Sequence, residues 1–379
     1  MSTRTQLNED RVAGRATREG TLRYAARFAG RAAAGHFREA AGGLFLSSIG
    51  VGTYLGEPDA VTDRGYADSV VAAVEGGFNL IDSAINYRFQ RSERSIGAAL
   101  KRLVSGGFSR DEIVLCTKAG FLTPDGQMPE DPNEYFLHEY IEREIFQPEE
   151  IVQGCHCMSP RYLEDQLERS RRNFGVECVD VFYVHNPETQ LAEITREEFQ
   201  KRVRAAFEFL ESAVASGKIG AYGMATWNAF REGAQSPGYL SLADMVSIAR
   251  DVAASDHHFR FVQLPFNLAM PEALIRPNQT VDGKTMATVQ AGRALGVTLV
   301  SSAALLQGQL TKSLPPYIGA ALGLDTNSAL ALQFARSSPG VTTALVGMSH
   351  VEHAKANLSL VAVEPAHRDQ FLKLFEPRS

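Results

Sequence analysis

Four polar side chains stand where apolar runs of this sequence end: Asp82 and Tyr87 in "LIDSAINY", Lys118 in "EIVLCTKAG" and His185 in "CVDVFYVH". A phenol with an ordinary pKa of about 10 is a poor acid at neutral pH, and a neighbouring ammonium lowers that value by favouring the ionised form. Asp82 would keep Lys118 charged and fixed. The His185 imidazole can donate a hydrogen bond to a carbonyl oxygen and stabilise the charge that develops there. Together the acid, phenol, ammonium and imidazole meet the needs of one reaction class, reduction of a carbonyl by hydride, although no side chain supplies the hydride itself. Singly each has a plainer reading: Asp82 as a cap, Lys118 as a surface charge, His185 as a satisfied core histidine.

The elements that must position these groups can be counted. From about residue 44 the chain alternates short apolar runs (47–54, 78–84, 112–120, 178–185, 220–227, 260–267, 297–305 and 341–348) with longer segments of helical spacing (63–76, 91–104, 159–174, 196–216, 238–254, 284–295 and 326–338). All the apolar runs but the first are rich in β-branched and aromatic residues. Most lack polar alternation, as strands buried on both faces do. Several helical segments end on glycine, as in "EGGFNLI" and "ALGVTLV". Eight strands separated by helices predict a (β/α)8 TIM barrel, with an open doubly wound sheet as the alternative. No glycine-rich dinucleotide fingerprint follows an early strand, which weighs against the open sheet. Barrel enzymes carry their chemistry at the C-terminal ends of strands, where Asp82, Lys118 and His185 fall.

Two segments depart from this rhythm. Residues 1–43 hold eight arginines against four acids, and arginines 23, 27 and 31 recur once per helical turn. That spacing predicts an amphipathic helix in an N-terminal extension ahead of a barrel over 44–379, either a solvated helix packed on the outside of the main domain or a transit-type or partner-binding segment. The long stretch 121–158, rich in Pro, acids and aromatics, follows the third strand directly and is expected to form a lid or one wall of the substrate pocket, with a cover on the side of the barrel as the other reading.

Composition narrows the classes. In 379 residues, 44% hydrophobic and 22% charged are ordinary globular values, and a net charge of −6 gives no reason to expect nucleic acid or an acidic membrane as partner. No apolar run approaches the roughly 18 residues of a membrane span, and no secretory-type apolar segment stands near residue 1, so the expected compartment is the cytoplasm. Four cysteines make no disulfide framework. "CHC" at 155–157 lacks the usual spacing of paired zinc ligands, so buried or pocket-lining thiols are expected and no metal.

The ordered set "IDSAINY", "TKAG" and "VHNPE", with "SSIGVGTYLG" before it and "RSERSIGAAL" after Tyr87, resembles the aldo-keto reductases over about residues 36–375. The resemblance implies a (β/α)8 barrel that uses NADP(H), less often NAD(H), without metal, and a catalytic tetrad on Asp82, Tyr87, Lys118 and His185. It implies cofactor contacts at Gly52, Thr53, Asp82, Thr226, Gln263, Ser301, Ser302, Leu305, Gln307, Leu310, Gly347, Ser349, His353 and Asn357. Tyr54, Tyr87, His185 and Trp227 would meet the substrate, a small carbonyl compound or alcohol. The sequence departs from the family pattern in three places. Ala225 and Thr226 replace a Ser-Asn pair, Ser302 replaces the aromatic that stacks on the nicotinamide, and Gly347 and His353 replace basic residues that grip the adenosine 2′-phosphate. A divalent phosphate normally wants Arg or Lys, so NAD(H) remains an alternative cofactor. An NAD-linked sugar or alcohol dehydrogenase, and a cofactor-binding regulatory subunit, are the other functional readings. Neither substrate identity nor oligomeric state can be read from these residues.

Overall fold

A computed structural model describes residues 11–375. Eight parallel strands close into a barrel: β1 (Ile49–Gly52), β2 (Leu80–Asp82), β3 (Val114–Ala119), β4 (Val179–His185), β5 (Ile219–Ala225), β6 (Phe259–Pro265), β7 (Thr298–Ser302) and β8 (Val341–Gly347). Each pairs with its sequence neighbour, and β8 returns to β1 through Gly347 opposite Gly52. The longer helices are α1 (Arg18–Ala26), α2 (Ala60–Gly76), α3 (Arg91–Ser105), α4 (Pro160–Phe174), α5 (Arg196–Ala215), α6 (Leu242–Ala253), α7 (Thr288–Leu295), α8 (Asn327–Ser337) and α9 (Val351–Leu358). All eight expected strands lie on the apolar runs, because strands covered on both faces need no polar alternation.

Register sets the height of each side chain in the barrel. Gly52 pairs with Asp82 and Asp82 with Cys116, while His185 pairs with Ala225 and Ala225 with Gln263. The C-terminal ends of β2, β4, β5 and β6 therefore present Asp82, His185, Ala225 and Gln263 at one rim. Below them the barrel interior is filled by Leu80, Val114, Val181, Phe261, Val300 and Leu345. An antiparallel hairpin, Phe37–Glu39 with Phe45–Ser47, closes the opposite end and inserts the fully buried Leu46 into the same interior cluster. The larger apolar layer lies between the strands and the helices. There α3 and α4 approach so closely that a Cβ on Gly97 would stand 2.6 Å from the Asn173 carbonyl oxygen.

Three expectations change. First, the helix carrying the arginines packs on the outside of the barrel, but it ends at Ala26, short of Arg31. The Tyr24 hydroxyl donates to the Val74 carbonyl at 2.5 Å, and Arg23 and Arg27 both pair with the buried carboxylate of Glu112. Second, Lys284–Ala287, expected to open a helix, is a strand paired with Pro277–Val281 across an Asp282-Gly283 turn. Both turn residues have positive φ, 49° and 74°, the geometry that an Asp-Gly hairpin favours. Third, the stretch 121–158 folds back on the barrel's side. Tyr140 stacks against Phe146, its hydroxyl donates to Thr123, and Arg169 of α4 lies 5.4 Å from the Tyr140 ring centroid.

At the closed end, Asp180 accepts from Arg110 at 2.8 Å and from the backbone amides of Ala16 and Leu115 at 2.6 and 2.7 Å. Replacing one partner of such a buried pair leaves the other charge uncompensated. Asp180→Ala is expected to destabilise the fold by about 3–5 kcal/mol in urea titrations. The control Asp68→Ala, which breaks a half-exposed ion pair with Arg102, is expected to change the midpoint little. Equal effects of the two substitutions would refute the ranking.

Candidate active site

A cavity of about 880 Å³ opens at the rim where these strands end, a size usual for small-molecule sites. At one side the chemistry converges. The Lys118 ammonium donates to Asp82 Oδ2 and to the Ser83 carbonyl, each at 2.6 Å, and the Gln263 amide donates to Asp82 Oδ1 at 2.8 Å. Lys118 Nζ lies 4.9 Å from the centroid of the Tyr87 ring. The Tyr87 and His185 rings meet edge to face at 5.9 Å, and Phe121 packs on the other side of His185 at 5.2 Å. Lys118 is fully buried and does not line the cavity; Asp82, Tyr87 and His185 do.

Tyr87 lies beyond the end of β2, so its position depends on the turn that follows. Arg88, Phe89 and Gln90 all adopt left-handed backbone (φ 49°, 54° and 71°), uncommon for three successive non-glycine residues. Buried anchors hold the turn: the Arg88 guanidinium donates to the Glu57 and Asp59 carbonyls and pairs with Asp63 at 2.6 Å. In addition, Ser92 donates to the Thr53 carbonyl at 2.7 Å.

Burial shapes the electrostatics. Although Tyr87 keeps part of its surface open to the cavity, burial raises its phenol above the usual value, with the Lys118 ammonium only pulling part of the way back. The expectation of a lowered phenol is therefore reversed, because desolvation of a phenolate outweighs one neighbouring charge. Burial also pushes the Asp82 carboxyl up, against the pull of Lys118 and Gln263. Lys118 itself is raised: burial alone would lower it, and Asp82 with Tyr87 outweighs that effect. Burial, then Lys118 and His156, hold His185 well below the ordinary imidazole value, so its ring is neutral at neutral pH.

The central residue of "CHC", His156, supports the strand end. Its Nε2 meets the His185 carbonyl at 2.7 Å, and the Gln190 side-chain amide donates to its Nδ1 at 2.8 Å. With Nδ1 accepting, Nε2 carries the proton. Among the described residues no group of three His, Cys, Asp or Glu is placed to hold a metal ion.

Of the residues expected to touch a cofactor, Gly52, Thr53, Asp82, Thr226, Gln263, Ser302, Leu305, Gln307, Gly347, Ser349, His353 and Asn357 line the cavity. Ser301 and Leu310 are not among the lining residues; the Ser301 hydroxyl turns inward to donate to the Phe266 carbonyl at 2.8 Å. All four expected substrate residues, Tyr54, Tyr87, His185 and Trp227, line it as well. From the stretch 121–158 only Phe121 reaches the cavity, so that insertion contributes one wall residue and no lid. Sequence reasoning missed Phe121, Asn86 and Tyr66 as lining residues. It also missed Glu188, whose Oε1 accepts from the backbone amides of Trp227 and Asn228 at 2.7 and 3.2 Å and so pins the loop that carries Trp227. The local signal for Glu188 was its place just after His185 in "VHNPE". A second, more open depression around Pro316 and Leu330 holds none of the four groups.

A sequence profile of the aldo/keto reductase family matches residues 48–314. The NADH-specific methylglyoxal reductase of Escherichia coli (strain K12) is 26% identical over 147 residues, which are 38% of this chain and 39% of that protein. The chain thus spans about two fifths of that curated relative's length. The glycerol dehydrogenase AKR11B4 from Gluconobacter oxydans superposes with a TM-score of 0.61 at 18% identity, over 90% of this chain and 94% of that one. An aldo/keto reductase from Klebsiella pneumoniae in complex with NADP and acetate gives 0.58 at 18% identity, over 90% and 96%. At such identities these two likenesses speak for the fold.

Removing the Glu188 carboxylate should free the loop it pins and further expose Trp227, the sole tryptophan and already 43% exposed. Glu188→Ala is expected to shift tryptophan emission to the red and increase its quenching by acrylamide. The loss of stability should be small, about 1 kcal/mol or less, because water can replace the carboxylate at these exposed amides. Unchanged emission and quenching would show that the loop does not depend on this carboxylate.

Proposed function

The chain belongs to the aldo/keto reductase family, and from that premise we propose that it reduces an aldehyde or ketone to an alcohol with NAD(P)H, Tyr87 giving the proton. The observation that carries this reading is the placement of Tyr87 over the Lys118–Asp82 pair, beside a neutral His185, at one side of a cavity large enough for a dinucleotide's reacting end and a small substrate.

The residues present fit a nicotinamide cofactor. The buried Thr226 hydroxyl has no hydrogen-bond partner and its residue lines the cavity, which leaves it able to meet a carboxamide. Gln263, fixed through its amide nitrogen to Asp82, keeps its carbonyl oxygen for the same group. Asn357, Ser349 and Gln307 line the cavity farther along and would hold the adenosine half. Bound there, the cofactor supplies hydride to the carbonyl carbon.

The chain's own groups do the remaining work. His185, kept neutral by burial, can donate a hydrogen bond to the carbonyl oxygen without adding a full charge to the site. Tyr87, raised by burial, stays protonated at neutral pH and can deliver its proton as charge develops on that oxygen. Lys118 then stabilises the phenolate left behind, and Asp82 holds the ammonium in place. A raised phenol is consistent with the donor role at neutral pH, and the same group would take the proton back in the oxidising direction. Tyr54, Phe121 and Trp227 form an aromatic surround suited to an uncharged substrate group.

Tyr87→Phe should lower kcat for reduction of a generic aldehyde by about 10²–10⁴-fold, the usual contribution of a positioned acid, while dinucleotide binding persists. Undiminished turnover would remove Tyr87 from the proposed role. The wild-type rate should also be flat between about pH 6 and pH 8. His185 is already neutral throughout that window, and Tyr87 ionises only at more alkaline pH. A rate step near the ordinary imidazole pKa, abolished by His185→Gln, would contradict the assigned protonation states.

A further inference from the structure

The far end of the cavity carries information about which dinucleotide fits. Gly347 ends β8, Ser349 lies in the connecting turn, and His353 and Asn357 come from α9; Gln307 and Ser328 also line the cavity. Among the described residues, none that lines the cavity is a lysine or an arginine, and the one carboxylate among them, Asp82, lies against Lys118. The lysine of α9, Lys355, is solvent-exposed and paired with Glu352 of the same helix at 2.9 Å.

Resting on the reading of this cavity as a dinucleotide site, we infer that the chain selects NADH over NADPH. The two cofactors differ by one 2′-phosphate, a group of about −1.5 to −2 charge at neutral pH that is held well only by charge-assisted bonds. Hydroxyl and amide side chains suit a ribose diol, because they exchange water contacts for neutral hydrogen bonds. They leave a desolvated phosphate uncompensated. The start of α9 offers partial positive charge, but the first-turn Glu352 opposes an anion there. His353, whose ring lies 5.3 Å from that of His350 between centroids, brings an imidazole rather than a guanidinium or ammonium to this wall.

Gly347 sharpens the point. It lines the cavity, and a Cβ built on it meets nothing within 4 Å. A long cationic side chain would therefore have room at this position, so the missing cation reflects the residue chosen and not crowding.

Binding can be followed without turnover, because Trp227 is the sole tryptophan and lines the same cavity. NADH and NADPH are titrated separately into the full chain while energy transfer from Trp227 to the reduced nicotinamide is recorded. NADH is expected to bind at least tenfold more tightly. Gly347→Lys is expected to shift the ratio of NADPH to NADH affinity at least tenfold toward NADPH; His353→Arg tests the same charge effect from α9 should the first variant fold poorly. Equal or tighter binding of NADPH by the wild type overturns the selectivity while leaving the dinucleotide site standing. Failure of both variants to shift the ratio toward NADPH, with circular dichroism unchanged, overturns the charge argument. Binding of neither cofactor by the wild type overturns the reading of the cavity itself, and this inference with it.

Discussion

An ammonium buried without access to water is the constraint around which this barrel is organised. Moving Lys118 and Asp82 out of water costs several kcal/mol per ion, and their attraction offsets that only when every remaining donor and acceptor is met. The neighbouring groups meet them. Ser83 offers its carbonyl to Lys118, and Gln263, from the opposite side of the barrel, donates to the second oxygen of Asp82. The pair is thus fixed from three strands, β2, β3 and β6: a shift of β2 or β3 would leave a buried charge unpaired, and a shift of β6 would leave Asp82 Oδ1 without its donor.

The same dryness sets the protonation of the groups above the pair. Burial disfavours the charged form of each titratable side chain, so the phenol rises and the imidazole falls. Both are neutral in the resting site, each with a proton it can share with an oxygen. Charge is concentrated below them, where it can stabilise a phenolate once the proton has moved. Reading the ammonium as a simple acidifier of the phenol neglected that burial of the phenol outweighs the pull of Lys118.

Much of this was legible in the sequence because it is local. The eight strands are continuous apolar runs between helical segments, and where a run closes on a polar residue, as at Asp82 and His185, that residue falls at the rim by topology alone. What escaped the sequence depends on contacts distant along the chain. Arg23 and Arg27 have the spacing of a solvated helix face, yet they meet Glu112 some eighty-five residues or more away. The stretch 121–158 has a composition suited to a pocket wall, yet its aromatic residues Tyr140 and Phe146 find Tyr162 of α4 on the barrel's flank. The Asp282-Gly283 turn is an exception. It is a strong local hairpin signal, outweighed in reading by the helical spacing that follows it.

Strained backbone completes the site, and it lies where regular structure cannot reach. A strand end can aim one side chain at the rim, but Tyr87 must stand farther out, above Lys118. The chain gets there through three left-handed residues. On the neighbouring wall, Ala303, Leu306 and Gln307 are left-handed as well (φ 53°, 47° and 52°), and all but Leu306 line the cavity. Such conformations cost about 1–3 kcal/mol each and persist only where the surroundings determine them. Here the Arg88–Asp63 pair braces one turn, and the Asn267 amide, donating to the Ala303 carbonyl at 2.9 Å, braces the other. The barrel's regular strands thus supply the stability that its rim spends, and Tyr87 and the wall around Ala303 and Gln307 are placed by two irregular segments beside the cavity.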